Sequence, residues 1–277
     1  MTIEITLLGT GSPLPTPDKA GPSTLVRAGG QVFLFDAGRA VGLRLTAARV
    51  LPPMLTAVLL THLHSDHITD LNDVMTTRWV MSPQPNPLTI IGPVRTREVV
   101  DGMLAMLGPD VEYRIAHHAD LTEGPNPDVR EFDGGVVFED AEADVRIIGL
   151  GTDHKPVEPT LGYRIEHAGK AVVIGGDGVP CAGLDELCAG ADAYVQTVLR
   201  DDLVRAVPFP RFVDTIDYHS TVRQAGDTAK RAGVKTLVLT HQIPTPLPDS
   251  KDEWIAQAAE TFHGDIIWGE DLSVIEI

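Results

Sequence analysis

The sequence predicts one mixed α/β domain spanning residues 1–277. Short β-rich runs bounded by glycine and proline recur along the chain, and helical patterns separate the later ones. Several of the runs stop on a histidine or an aspartate, as in LLTH, IIGLGTDH, VVIGGD and LVLTH. Buried strands that end this way deliver those side chains to one edge of a sheet, where a site can form.

The first strand-like runs are IEITLLG, STLVRAG and QVFLFDAG, which read as hairpin-like pairs. AVLLTH, LTIIG and VEYRIAH follow, then VRIIGL, TLGYRIEH, KAVVIGGD, AYVQTV, KTLVLTH and LSVIEI. Helical patterns fall over 66–81, 93–107, 180–189, 221–233 and 250–262. TGSPLPTPDKAGP, MSPQPNP, EGPNPD, AVPFPR and QIPTPLPD are proline-rich surface loops, too short to be linkers. No fixed-period repeat or low-complexity tract interrupts the pattern.

The chain has 277 residues, 43% of them hydrophobic, which is ample for a packed core. Its formal charge of −17 disfavours polyanionic partners unless basic residues are gathered locally. No apolar stretch approaches the roughly 20 residues that cross a bilayer, and the first residues carry no secretory pattern, so a cytoplasmic protein is expected. Cys181 and Cys188 sit seven apart on one expected helix, too distant to bridge, and are expected as free thiols.

The segment Thr61–His67, THLHSDH, crowds three of the ten histidines and an aspartate into a few positions. A chance match to His-x-His-x-Asp-His has an expectation on the order of one in a thousand. Isolated histidines such as His117, His118, His167 and His263 are better read as ordinary core or surface residues. His62 and His64 follow an apolar strand, while Asp66 and His67 start the next helix, so two pairs of ligands can diverge toward two neighbouring ions. His154, Asp177 and His241, each at a strand end, supply the further ligands. Imidazole and carboxylate suit zinc, with manganese or iron as alternatives.

The motifs LLGTGSPLP, THLHSDH, TDHKPVEPTLGYRI, VVIGGDGVPC, DYHSTV and VKTLVLTHQ occur in the order found in ribonuclease Z. The chain therefore resembles that family, the tRNA 3′-processing branch of the metallo-β-lactamase superfamily. The resemblance implies an αββα sandwich with a dinuclear site at one edge. It assigns His62, His64 and His154 to one ion, Asp66, His67 and His241 to the other, and Asp177 as the bridge. It also gives Asp66 a second role on the attacking water, and makes His219 a general acid or a stabiliser of charge at the leaving oxygen. A homodimer is likewise expected from the resemblance. Ser220 and Thr221 are expected to cap the helix that begins near Val222. The GTGSP loop is either a tight turn or an approach to substrate.

The sequence departs from the family in three places. His154 and Asp177 stand only 23 positions apart, too few for the long arm that some members use to grip tRNA. Gly178 replaces a hydroxyl residue, and Gln196 stands where a histidine or acid is common, so a partner of His219 is expected to be missing or changed. The segment 200–235 carries Arg200, Arg205, Arg211, Arg223, Lys230, Arg231 and Lys235 interspersed with aspartates, so it is only mildly basic.

These observations predict a two-zinc phosphodiesterase acting on precursor tRNA. The alternative is a metallohydrolase of small anionic esters, such as an arylsulfate or a cyclic phosphodiester, favoured by the missing arm and the acidic charge. A lactonase or amide hydrolase is the less favoured third, because the same metal chemistry reaches acyl carbon. A purely structural zinc is disfavoured, since such sites are closed and cysteine-rich.

Overall fold

The computed structural model describes residues 2–277. Its first half runs β1 (Glu4–Gly9), β2 (Ser23–Ala28), β3 (Gln31–Phe35), α1 (Val41–Ala47), β4 (Ala57–Leu59), α2 (Ser65–Ile68), α3 (Leu71–Met81), β5 (Thr89–Pro93), α4 (Thr96–His117) and β6 (Asp128–Phe132). The second runs β7 (Gly135–Asp140), β8 (Val145–Gly151), β9 (Leu161–His167), β10 (Lys170–Ile174), α5 (Ala182–Cys188), β11 (Ala193–Leu199), α6 (Asp201–Arg205) and α7 (Pro210–Val213). It continues through α8 (Val222–Ala232), β12 (Thr236–Ile243), α9 (Lys251–Ala259) and β13 (Asp265–Trp268) to β14 (Ser273–Glu276).

The strands form two seven-stranded sheets, ordered β14-β1-β2-β3-β4-β5-β6 and β13-β12-β11-β10-β9-β8-β7. Each sheet has an antiparallel part, joined by hairpins except where β14 pairs with β1, and a parallel part joined by helices. The parallel parts are β3 to β6 and β10 to β13. Helical crossovers follow from parallel pairing, because a two-residue turn cannot return a chain to the same direction.

The layers are legible in the alternation of side chains. Phe33 and Phe35 face a core shared with Val172, Ile174 and Val195 of the other sheet. Leu34 points the opposite way, against Val41 and Leu45 of α1 and Val74 of α3. On the second sheet Val173, Tyr194 and Leu237 turn outward onto Leu184 of α5, Ala225 of α8 and Trp254 of α9. The result is the αββα sandwich. Its central strands are buried on both faces, which is why they read as nearly continuous apolar runs.

Two expectations are corrected. VEYRIAH is the last part of helix α4, not a strand. Its Val111, Tyr113 and Ile115 alternate as in a strand, but Leu104, Leu107, Val111 and Ile115 also recur at three- and four-residue spacing, and that period prevails over Pro109. The expected helix over 66–81 is two helices, α2 and α3, separated by Thr69 and Asp70, whose carboxylate accepts from the Ala40 N–H. The strands missed by the sequence pattern, β6, β7 and β13, are all sheet edges. Edge strands carry charge and need no continuous apolar run. Cys181 and Cys188 are free thiols.

Candidate metal centre

Most of the polar side chains of the site come from the carboxyl ends of the parallel strands and the loops that follow, where open α/β sheets place their ligands, and His154 comes from the loop after the antiparallel strand β8. Asp36 follows β3, His62 and His64 follow β4, Asp177 follows β10, and His241 lies within β12. Asp66 and His67 sit on the short helix α2. That helix is pressed against the loop after β3: a Cβ on Gly38 would lie 2.4 Å from the Asp66 carbonyl oxygen, so only glycine allows the approach.

All seven residues expected as ligands come together, in two groups. His62, His64, His154 and Asp177 form one, and Asp66, His67 and His241 the other. In the first group His64 Nδ1 lies 3.0 Å from His62 Nε2 and 3.3 Å from His154 Nε2. Tetrahedral zinc with Zn–N bonds of about 2.0–2.1 Å sets ligand edges of about 3.3–3.4 Å, so this spacing suits one ion. In the second group Asp66 Oδ2, His67 Nε2 and His241 Nε2 are buried without a hydrogen-bond partner. Buried polar atoms are nearly always paired, so three converging orphans call for a cation. The donor set fits divalent metal.

The remaining ring atoms fix which nitrogen is offered. His67 Nδ1–H donates to Asp36 Oδ2 at 2.7 Å, and His154 Nδ1–H donates to the Tyr218 carbonyl at 2.7 Å. His62 Nδ1–H donates to Thr61 Oγ1 at 3.0 Å, and Thr61 passes its own proton to Asp36 Oδ2 at 2.8 Å. Each of the three rings is thereby held with Nε2 facing the site. Thr197 Oγ1–H donates to Asp177 Oδ1 at 2.7 Å, which turns Oδ2 toward the histidines. That one oxygen lies 3.3, 3.5, 3.8 and 4.0 Å from Nε2 of His67, His241, His62 and His154. Asp36 and His241 have φ of 57° and 44°, left-handed values that cost roughly 1–3 kcal/mol each and cluster at functional sites.

Electrostatics prepare the two groups differently. Burial, reinforced by neighbouring imidazoles, holds His62 well below the usual histidine range, and burial lowers His64 and takes His154 to about 4. The first group therefore consists of neutral rings, the form that binds metal. Burial opposes protonation of His67, but the Asp177 and Asp36 carboxylates outweigh it and raise its pKa well above the ordinary value. Burial likewise opposes ionisation of Asp66, but the adjacent His241 and His67 rings outweigh it and draw the carboxyl down to about 2.

His219 lies beside the cluster, with Nε2 3.2 Å from Asp177 Oδ2 and Nδ1 2.9 Å from the Thr215 carbonyl oxygen. Both nitrogens face acceptors. The expected partner of His219 is thus supplied by the Thr215 backbone, while Gln196 instead donates to the Gly176 carbonyl at 3.0 Å. Thr221 caps α8 through a reciprocal pair with Gln224, as expected. Ser220 does not cap; its hydroxyl donates to the Gly178 carbonyl at 2.7 Å. Gly178 has φ 155°, and a Cβ there would lie 2.7 Å from the Asp153 carbonyl oxygen, which accounts for glycine at that position.

Asp36, Thr61 and Thr197 were missed by the sequence pattern. Asp36 carried a usable signal, since QVFLFDAG runs out on an acid just as VVIGGD does.

Residues 31–242 match the model of the beta-lactamase superfamily domain. A protein named Ribonuclease Z from Mycolicibacterium paratuberculosis is 53% identical over 277 residues, covering 99% of this chain and 98% of the relative. The chain belongs to the ribonuclease Z family. In three dimensions it is similar to the metallo-beta-lactamase fold protein YhfI from Bacillus subtilis, with a TM-score of 0.77 at 23% identity and 99% coverage of both chains. It is also similar to the short form of human tRNase Z, with a TM-score of 0.73 at 23% identity and 98% coverage of both chains. Both structures share the fold, and ribonuclease Z membership rests on the full-length sequence identity. Among the described residues, no helix is long and apolar enough to cross a membrane.

Proposed function

We propose that residues 1–277 act as one domain, an endonuclease that hydrolyses a phosphodiester in precursor tRNA at the 3′ side, in the cytoplasm and as a homodimer. Family membership along the full chain carries this reading, and the His219 geometry supports it. His62, His64 and His154 would hold one divalent ion and Asp66, His67 and His241 a second, with Asp177 Oδ2 shared. Zinc is the first choice, and manganese or iron suit the same donors. Bound there, the ions would supply a water of lowered pKa and neutralise charge on the phosphoryl oxygens.

The chain's own residues do the rest. Asp66 accepts the proton of the attacking water through its carboxylate. The water oxygen bonds to phosphorus as the bond to the leaving oxygen breaks. His219 supplies the proton that the leaving oxygen needs, and the Thr215 carbonyl keeps its ring turned toward the site. Thr197 and Asp36 hold Asp177 and His67 in register throughout.

The test compares kcat/KM for a precursor tRNA with that for bis(p-nitrophenyl) phosphate, using zinc-loaded protein. Preference for the tRNA by several orders of magnitude is expected, because remote binding energy lowers the barrier only for the large substrate. Equal turnover of the two would replace this reading with hydrolysis of small anionic esters.

A further inference from the structure

Several cations on the segments around the site are paired with carboxylates. Arg200 is tied to Asp202 at 2.6 Å, Arg205 to Asp201 at 3.7 Å and Lys155 to Glu158 at 3.4 Å, in a chain of net charge −17. Phosphate contacts through lysine and arginine are the usual source of affinity, and a contact to a base would add to whatever those cations supply at the metal centre.

Tyr218 is an aromatic side chain placed to make it. Of the four tyrosines, Tyr163 and Tyr194 are fully buried in the sandwich and Tyr113 lies exposed on α4. Tyr218 is half-buried, with its ring centroid 5.2 Å from that of His154 and 4.8 Å from that of His219. Its inner surface thus rests on a ligand-bearing ring and on the proposed proton donor, and part of the ring reaches solvent. Asp214 and Asp217, in the turn just before it, set negative charge beside the ring. Carboxylates at that position repel phosphate but tolerate the π-face of a base. Every base has such a face, and the contact is independent of sequence.

We infer that Tyr218 is a stacking platform for the base of the nucleotide that carries the leaving oxygen. The inference rests on the proposed RNA-cleaving activity. Because Tyr218 immediately precedes His219, a base held on its ring presents that nucleotide's sugar oxygen to the His219 side of the site. RNA is then gripped through unpaired bases at the cut, with little reliance on the duplex backbone.

The experiment uses metal-loaded full-length protein and precursor tRNAs that carry 2-aminopurine, an abasic residue or the natural base at the nucleotide that ends in the new hydroxyl. Stopped-flow fluorescence should show 2-aminopurine quenching before cleavage with wild type and Tyr218→Phe, and no quenching with Tyr218→Leu. Base stacking measured by alanine substitution corresponds to roughly 5- to 150-fold per base, so Tyr218→Leu should raise KM on the natural substrate by a factor in that range. On the abasic substrate the KM penalty of Tyr218→Leu should shrink by that same factor.

A penalty of equal size on the abasic substrate would overturn the inference, because the ring would then only be supporting His154 and His219. A Tyr218→Phe loss matching that of Tyr218→Leu would overturn it in favour of a hydroxyl contact. Absence of quenching in wild type overturns it without any variant. Wild type that fails to cleave the natural precursor removes the proposed activity itself, and this inference with it.

Discussion

Asp36→Asn tests how the second ligand group is held. The Asp36 carboxylate accepts from the Thr61 N–H at 2.8 Å, from the Thr61 hydroxyl at 2.8 Å and from His67 Nδ1–H at 2.7 Å. An amide keeps the shape but has one acceptor oxygen. Turned to accept from the Thr61 backbone, it points its NH2 at His67, which then accepts on Nδ1 and carries its proton on Nε2, where it cannot bind metal. Loss of such a supporting hydrogen bond costs about 10–100-fold in metal affinity, or about 1.4–2.7 kcal/mol. The loss should be larger at the second ion, since His67 meets Asp36 directly while His62 reaches it only through Thr61 and His154 is held by the Tyr218 carbonyl. Competition against a chromogenic chelator resolves the two sites. Wild-type affinity at both would refute the tautomer argument, as would equal loss at both.

Three further outcomes follow from the same geometry. Loading the metal-free protein near neutral pH should release at least the His67 proton for the second site and none from the histidines of the first, because His67 is held protonated while His62, His64 and His154 are neutral. Titration calorimetry in buffers of different ionisation enthalpy counts those protons, and equal release at both sites would contradict the assignment. The metal-free protein should also be most stable near pH 6.5. His154 falls from 6.5 unfolded to about 4 folded, so the unfolded state binds more protons between those values and stability drops by up to about 3 kcal/mol as pH falls through that window. His67 is raised, so its contribution is full below 6.5 and is lost as pH rises toward its folded pKa. Urea unfolding across pH 4–9 should trace a maximum, and a monotonic curve would count against it. Gly178→Ser should destabilise the fold by about 1–3 kcal/mol, since its Cβ would meet the Asp153 carbonyl at a left-handed φ; an unchanged denaturation midpoint would show that the loop shifts freely.

The clustering of His and Asp residues was more legible than the fold around it, for a physical reason. His62, His64, Asp66 and His67 are adjacent in sequence, and His154, Asp177 and His241 each end or interrupt an apolar run, so chemistry and hydrophobicity mark the same positions. The residues that aim those ligands carry no such mark. Thr61 and Thr197 are ordinary strand residues until the fold sets them against Asp36 and Asp177. The Thr215 and Tyr218 carbonyls act through backbone, which sequence does not distinguish. In the fold, buried strands such as β3 and β10 were plain, whereas the edge strands β6, β7 and β13 were not, and α4 was cut short because Val111–Ile115 satisfies both a strand and a helix period.

The most direct measurement is single-turnover cleavage of an end-labelled precursor tRNA by zinc-loaded wild type and His219→Ala, with the product ends mapped. The account predicts one cut at the 3′ side of the tRNA body. It also predicts a His219→Ala rate about 10²- to 10⁴-fold lower at unchanged metal content. Scattered cuts, or a His219→Ala rate equal to wild type, would contradict it.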